Sequence, residues 1–257
     1  MDFVLGAGAA VLGTVLASFI NAVSFRWGTG LSIAAGRSRC MHCGHTLSAA
    51  DLVPVLSYIF LRGRCRYCGS RISPQYPLVE LCGGVLSLGT YWLHPMPAEY
   101  AFWLAIWMLL LFAAVYDLRH TIIPWSISSV VAILALGHAY LIGAPLYDIA
   151  AGPLLALPLF LLWLVSGGRW MGLGDSVLEL GLGWLLGLTL GLTGFFLAFW
   201  SGAIVGTALL VCGRSLPAGR QVTMKSEVPF APFLIAGALA AHFLHVDFFS
   251  TLPALFF

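Results

Sequence analysis

Apolar runs long enough to cross a lipid bilayer recur along this chain, and they constrain its fold more than any other feature. A hydrocarbon core of ~30 Å needs about 20 residues of apolar helix. Eight such stretches can be marked out, at 3–25, 76–93, 100–116, 124–142, 149–166, 176–192, 194–212 and 230–248. Only 9% of the 257 residues are charged and 60% are hydrophobic, whereas soluble domains carry roughly 25% charged residues. Backbone in lipid has to satisfy its own hydrogen bonds, so the spans are expected as helices. The expected fold class is an all-α membrane protein with about eight transmembrane helices. The sixth and seventh spans are divided only by the Gly-Leu-Thr-Gly turn at 191–194. No Lys or Arg precedes the first run, which therefore reads as a retained helix rather than a cleaved signal peptide.

One long polar segment, 26–75, interrupts the series and sets the expected organisation: a first transmembrane helix (1–25), a cytoplasmic module (26–75) and a helical bundle (76–257). The short run "DLVPVLSYIFL" inside the module contains Pro54 and cannot span; it would lie on the membrane surface or form a small core. Seven arginines (Arg26, Arg37, Arg39, Arg62, Arg64, Arg66 and Arg71) fall in the module, and Arg119, Arg169, Arg214, Arg220 and Lys225 fall in later loops of the same face. The opposite loops, such as "HPMPAE" and "GAPLYD", carry none. By the positive-inside rule the basic face is cytoplasmic and both termini lie outside. A net charge of +2 without a basic, aromatic-interleaved groove gives no reason to expect nucleic acid as a partner; the lipid bilayer is the expected one.

The module contains "CMHCGH" and "CRYCGS". Cys40, Cys43, Cys65 and Cys68 form two C-x-x-C knuckles separated by the 21 residues from Gly44 to Arg64. Four thiolates make a closed tetrahedral Zn²⁺ site with no position left for water, so structural zinc is the expected cofactor. The alternative is two disulfides, which a reducing cytoplasmic face disfavours. His42 and His45 are expected as neighbours of the site rather than ligands. Cys82 and Cys212, inside predicted spans, are expected as packing residues.

Charge within the spans is scarce enough that two aspartates stand out. Asp117 ends the third span in "YDLRHTIIP", and Asp175 closes "GLGD" before the sixth. Topology places both at the cytoplasmic face. Two carboxylates that meet share one proton, so one serves as base toward an attacking water while the other donates to a scissile carbonyl. Gly172 and Gly174 would let an extended substrate backbone approach. The structural alternative makes Asp175 a helix N-cap and pairs Asp117 with Arg119.

Taken together, "YDLRHTIIP", "GLGD", the cysteine quartet and "YPLVEL" (residues 76–81) resemble the type IV prepilin peptidases, intramembrane aspartyl proteases of the GxGD class. The resemblance runs from "SFINAVSFR" near the first span to "VPFAPFL" before the eighth. It implies cleavage of the basic leader of type IV prepilins or type II secretion pseudopilins in the bacterial inner membrane. It also implies N-methylation of the new N-terminus with S-adenosylmethionine. It makes Asp117 and Asp175 the catalytic pair and the four cysteines the zinc ligands. The chain departs from the family pattern at Val177, where many members carry Lys, and at Trp125, where many carry a polar residue. Glu179, four residues after Asp175, shares its helix face.

A basic leader needs a local acid on a face already rich in arginine. Asp51 and Glu80 are the candidates. Glu80, inside the second span, is preferred because an intramembrane acid is costly without a role or a partner; an ion pair with a nearby arginine is the structural alternative. Two other classes of function compete with the peptidase. A non-enzymatic zinc-bearing scaffold leaves both aspartates unexplained, and an ion-coupled transporter predicts internal repeats that the sequence lacks.

Overall fold

The computed structural model describes residues 2–30, 32, 36–213 and 229–250. Among them the structure is helical apart from two isolated β-bridges. In chain order come α1 (Asp2–Arg26), a single 3-10 turn (Ala49–Leu52), α2 (Leu56–Phe60), α3 (Gln75–Leu93), α4 (Pro97–His120), α5 (Trp125–Leu141), α6 (Leu146–Ser166), α7 (Leu173–Gly213) and α8 (Ala231–Phe243). Among the described residues four stretches are long and apolar enough to cross a membrane: Phe3–Arg26, Pro97–His120, Leu146–Ser166 and Leu173–Cys212. Three loop cations used above to orient the chain, Arg214, Arg220 and Lys225, lie outside the described residues. The chain divides into two compact units, Met1–Val115 and Tyr116–Phe257.

In the first unit α1 packs on α3 through small residues. A methyl group added at Gly13 would collide with the Gly83 carbonyl, and one added at Gly83 would collide with the Ala17 side chain. Such side-chain-free contact lets two backbones approach where lipid supplies no hydrophobic drive. Ser87 adds a buried polar tie, donating to the Ala9 carbonyl at 2.6 Å. Between these helices the 26–75 segment contributes the 3-10 turn, α2 and the two cysteine knuckles. Nothing in α2 is buried, so "DLVPVLSYIFL" forms no core of its own and keeps Leu52, Val53, Leu56, Ile59 and Phe60 exposed.

In the second unit α7 packs against α5, α6 and α8. Glycines again set the approach: a Cβ at Gly183 would meet the backbone of Ala151 and Gly152, and one at Gly181 the backbone of Ala132. The expected turn between the sixth and seventh spans is misplaced by the sequence reading. Residues 191–194 are helical, and the break falls at Gly187, whose φ of 74° and ψ of −175° are non-helical. A methyl on Gly191 would lie 3.6 Å from the Gly183 Cα. Eight residues of continuous helix would separate the two by about 12 Å. The chain therefore folds back on itself at Gly187, giving two antiparallel helical arms. The conformation is one that only glycine adopts readily, whereas glycines at 191 and 194 merely thin the helix surface. Asp148 of α6 completes the turn, its Oδ1 accepting from the Leu188 amide at 2.8 Å.

The eighth helix is also shorter than the expected 230–248. Its 13 residues rise about 20 Å and stop before His245, which takes a positive φ of 50°. Cys82 and Cys212 do lie on helices, but both are exposed rather than packed.

Gly187→Ala should destabilise the purified protein by about 1–3 kcal/mol, the usual cost of holding a side chain in a glycine-only conformation. The midpoint of thermal unfolding in detergent should fall accordingly, and an unchanged midpoint would contradict the fold-back.

Candidate active site

Asp117 and Asp175 both belong to the second unit. α4 runs one turn further than expected, so Asp117 sits within its final turn rather than at its end. Its side chain is 3% exposed. The carboxylate Oδ2 accepts a hydrogen bond from the Ala231 amide at 3.1 Å. Ala231 is the first residue of α8, followed by Pro232. A helix N-terminus carries unsatisfied N–H groups and partial positive charge, so it suits a buried carboxylate.

Asp175 is the third residue of α7 rather than its N-cap. Its Oδ2 accepts from the Gly172 amide at 3.2 Å, the reach-back half of a capping box. Ile123, six residues after Asp117, packs on Gly174 beside Asp175, so the fold brings the end of α4 and the start of α7 together. The glycines of "GLGD" have local reasons to be glycine. A Cβ at Gly174 would lie 3.1 Å from the Ile123 Cβ, and one at Gly172 would lie 3.1 Å from the Asp175 Oδ2. They admit the 121–124 loop and the aspartate's own turn.

Glu179, one turn beyond Asp175, is buried at 2% exposure. The hydroxyls of Ser128 on α5 and Ser176 on α7 are also buried, with no hydrogen-bond partner among the described residues. The sequence reading passed over both serines and the Ala231 amide. Only Pro232, a residue favoured in the first turn of a helix, hinted that "VPFAPFL" contains a helix start.

The four sulfurs of Cys40, Cys43, Cys65 and Cys68 lie within 4.8 Å of one another, and all four cysteines are free. The Cys40–Cys68 sulfur separation is 3.8 Å. A tetrahedral site with metal–sulfur bonds of ~2.3 Å has edges of about 3.8 Å, so the quartet fits a metal ion. The two knuckles repeat one geometry. Gly44 donates to the Cys40 carbonyl and Gly69 to the Cys65 carbonyl, each at 2.9 Å. Both glycines take a φ of 70°, which a side chain would strain. An antiparallel bridge closes each loop, Arg39 with Thr46 and Arg64 with Arg71.

Amides of Cys43 and His42 pull the Cys40 thiol down to about 6. The His45 amide favours the Cys43 thiolate too, but desolvation and the Cys40 and Cys68 sulfurs push that thiol up to about 11. Four thiolates together need a cation. His45 lies tilted against Tyr67 with ring centroids 3.6 Å apart. Asp51, an alternative leader-binding acid, is already engaged by Ser48, Arg66 and Tyr67. Its carboxyl is held down to about 2, first by the Ser48 hydroxyl and then by Arg66. With an ordinary value of 3.8, its contribution to the module is complete above that pH and is lost as pH falls toward 2. Glu80 is buried on α3, and its Oε2 accepts from the Val55 amide at 2.7 Å rather than from an arginine.

The family model for the Bacterial Peptidase A24 N-terminal domain matches residues 11–94, which include the quartet and Glu80. A relative from Bacillus subtilis (strain 168), named prepilin leader peptidase/N-methyltransferase, is 32% identical over 237 residues. The match covers 90% of this chain and 91% of the relative. The chain belongs to the prepilin leader peptidase/N-methyltransferase family. A relative of the same name from Burkholderia pseudomallei (strain K96243) is 34% identical over 277 residues, covering 95% of this chain and 86% of its own. A third, from Pseudomonas putida, is 33% identical over 268 residues, with 90% and 88% covered. No solved structure matches the chain. The chain is therefore an enzyme of the prepilin leader peptidase/N-methyltransferase family, and its apolar helices make it a multi-pass membrane protein.

Metal analysis of the purified protein should find about one ion per chain, the stoichiometry of a four-thiolate site. Cys43→Ser or Cys65→Ser should lose it, and full occupancy in both variants would contradict the ligand set.

Proposed function

We propose that this chain is an intramembrane aspartic endopeptidase that removes the basic leader from type IV prepilins or type II secretion pseudopilins. It then methylates the new N-terminus, taking the methyl group from S-adenosylmethionine as a second substrate. The observation that carries the reading is the pair of buried aspartates in one compact unit, on two helix ends joined by the packing of Ile123 on Gly174. Two such carboxylates hold one proton between them. The ionised member takes a proton from water as the water attacks the scissile carbonyl. The protonated member gives its proton to the carbonyl oxygen, and the departing amine later takes one back. The Ala231 and Gly172 amides hold Asp117 and Asp175 in place for these transfers.

In this reading the enzyme lies in the bacterial inner membrane with eight spans, the two arms of α7 serving as separate crossings. The 26–75 module and both aspartates face the cytoplasm. The quartet holds structural zinc, which supplies folding energy to a segment with little core of its own and takes no part in water activation. Gly172 and Gly174 remain assigned to the substrate side of the site through the turn that presents Asp175. Glu80 remains the acid proposed to meet the leader's basic residues.

The purified protein, incubated with a prepilin, should yield the leader and a mature chain separated at one bond. With S-adenosylmethionine present the mature chain should gain one methyl group by mass spectrometry. Absence of cleavage by the metal-loaded protein would overturn the peptidase reading. Glu80→Gln keeps an acceptor for the Val55 amide but removes the charge. It should raise KM for prepilin roughly 5-fold, about 1 kcal/mol of charge pairing, with kcat preserved. An unchanged KM would confine Glu80 to holding Val55.

A further inference from the structure

Beside the cysteine quartet the first unit contains a second arrangement that the peptidase chemistry does not use. Tyr58, Arg62, Arg64, Arg71, Ser73 and Pro74 line a hollow of about 500 Å³. Arg64 and Arg71 face each other across the bridge that closes the second knuckle, so their side chains leave the same side of it. Arg62 follows α2 with a φ of 51°. Next to it Gly63 admits the Tyr58 ring, which would lie 2.9 Å from any added Cβ.

Three guanidinium groups thus border one hollow that no carboxylate lines. Neither module-side acid lines it: Asp51 pairs with Arg66 and Glu80 accepts from the Val55 amide. Like charges placed opposite each other repel, and an anion with several acceptor oxygens relieves them. Guanidinium groups match phosphate best, through paired N–H donors.

Two further observations say where that phosphate comes from. The first is depth. α1, long and apolar enough to cross the membrane, ends at Arg26, and its Phe25 stacks on Tyr76 in the first turn of α3 with ring centroids 5.4 Å apart. The first turn of α3 therefore lies level with the end of α1, at the lipid boundary. Glu80 is five residues in, about 7.5 Å along the axis, and its carboxylate holds the Val55 amide at 2.7 Å. Val55 immediately precedes α2, so α2 starts alongside the second turn of α3. That is the level, about 5–10 Å into the interface, at which helices lying on a membrane rest.

The second is polarity. Leu56, Ile59 and Phe60 of α2 are 52%, 61% and 81% exposed, with Leu52 and Val53 exposed just before them. An apolar edge beside an arginine-lined hollow has the two-part chemistry of a phospholipid.

We propose that the Arg62, Arg64 and Arg71 hollow binds the headgroup phosphate of an anionic phospholipid, with the α2 edge seated among the acyl chains. The 26–75 module is thereby anchored to the membrane surface independently of α1 and α3.

The test uses the full, metal-loaded chain in bilayers of phosphatidylcholine with and without phosphatidylglycerol. Spin-labelled phosphatidylglycerol should associate in preference to spin-labelled phosphatidylcholine. The preference should fall roughly fivefold for each arginine changed to Gln at 62, 64 and 71. Arg71→Lys should keep most of it, which separates loss of charge from loss of fold, and metal content is followed in every variant. A photoreactive phenylalanine analogue at position 60 should cross-link to phospholipid. Equal association of the two lipids with the wild-type chain would overturn the proposal. So would a preference unaltered by the Gln variants, or cross-linking of position 60 to prepilin instead of lipid. Full displacement of the labelled lipid by inorganic phosphate would overturn it too, by identifying a free-anion site.

Discussion

A carboxylate inside an apolar helix bundle has no water to receive it, so the backbone must offer donors, and helix starts are where the backbone has donors to spare. The second unit is arranged around this constraint. α8 begins at Ala231 with its amide on Asp117, and α7 begins two residues before Asp175, which reaches back to the Gly172 amide. Each acid is therefore tied to the position of a helix terminus, and the helix packing that fixes those termini also fixes the distance between the acids. Gly174 lets the loop after α4 close against the start of α7, because any side chain there would press on Ile123. Removing that closeness would move the acids apart without touching either one.

The same scarcity of polar partners explains the rest of the fold. Small residues rather than apolar bulk join α1 to α3 and α7 to its neighbours, since lipid solvates a leucine as well as another helix does. The few polar side chains within the helices are spent on backbone groups that a turn leaves open. Asp148 holds the amide after the Gly187 fold-back and Glu80 holds the amide before α2. In the 26–75 module, where core is also lacking, four sulfurs take over the work of a core. Thiolates crowded within 4.8 Å repel one another until a cation joins them.

Much of this was legible in the sequence because it rests on residue type and spacing. The cysteine knuckles need two thiols on one tight turn, and C-x-x-C-G states that locally. The helical class follows from apolar length alone, and α1 and α3 lie within a residue of the expected stretches. The rest depends on which backbone group meets which side chain across the fold. Nothing near Asp117 announces that its donor is 114 residues away at Ala231. The Gly-Leu-Thr-Gly string at 191–194 resembles a turn by composition alone. Gly187 looks no different from the other glycines of α7 until Asp148 and its own φ and ψ are seen. The sequence offers Glu80 a leader or an arginine, and the partner it takes, a main-chain amide, leaves no mark in a sequence. The end of α8 was overestimated because apolar residues continue past His245 even though helical geometry does not.

The central claim is that Asp117 and Asp175 act as one unit, and the most direct test is the non-additivity of their removal. Cleavage rates of Asp117→Asn, Asp175→Asn and the double variant would be measured on prepilin, with metal content and monodispersity matched to the wild type. Each single change should lower kcat by about 10³-fold or more, within the range of triad-type deletions, and the double variant should be no slower than the singles. Losses that multiply in the double variant, or substantial cleavage by either single variant, would contradict a shared catalytic proton.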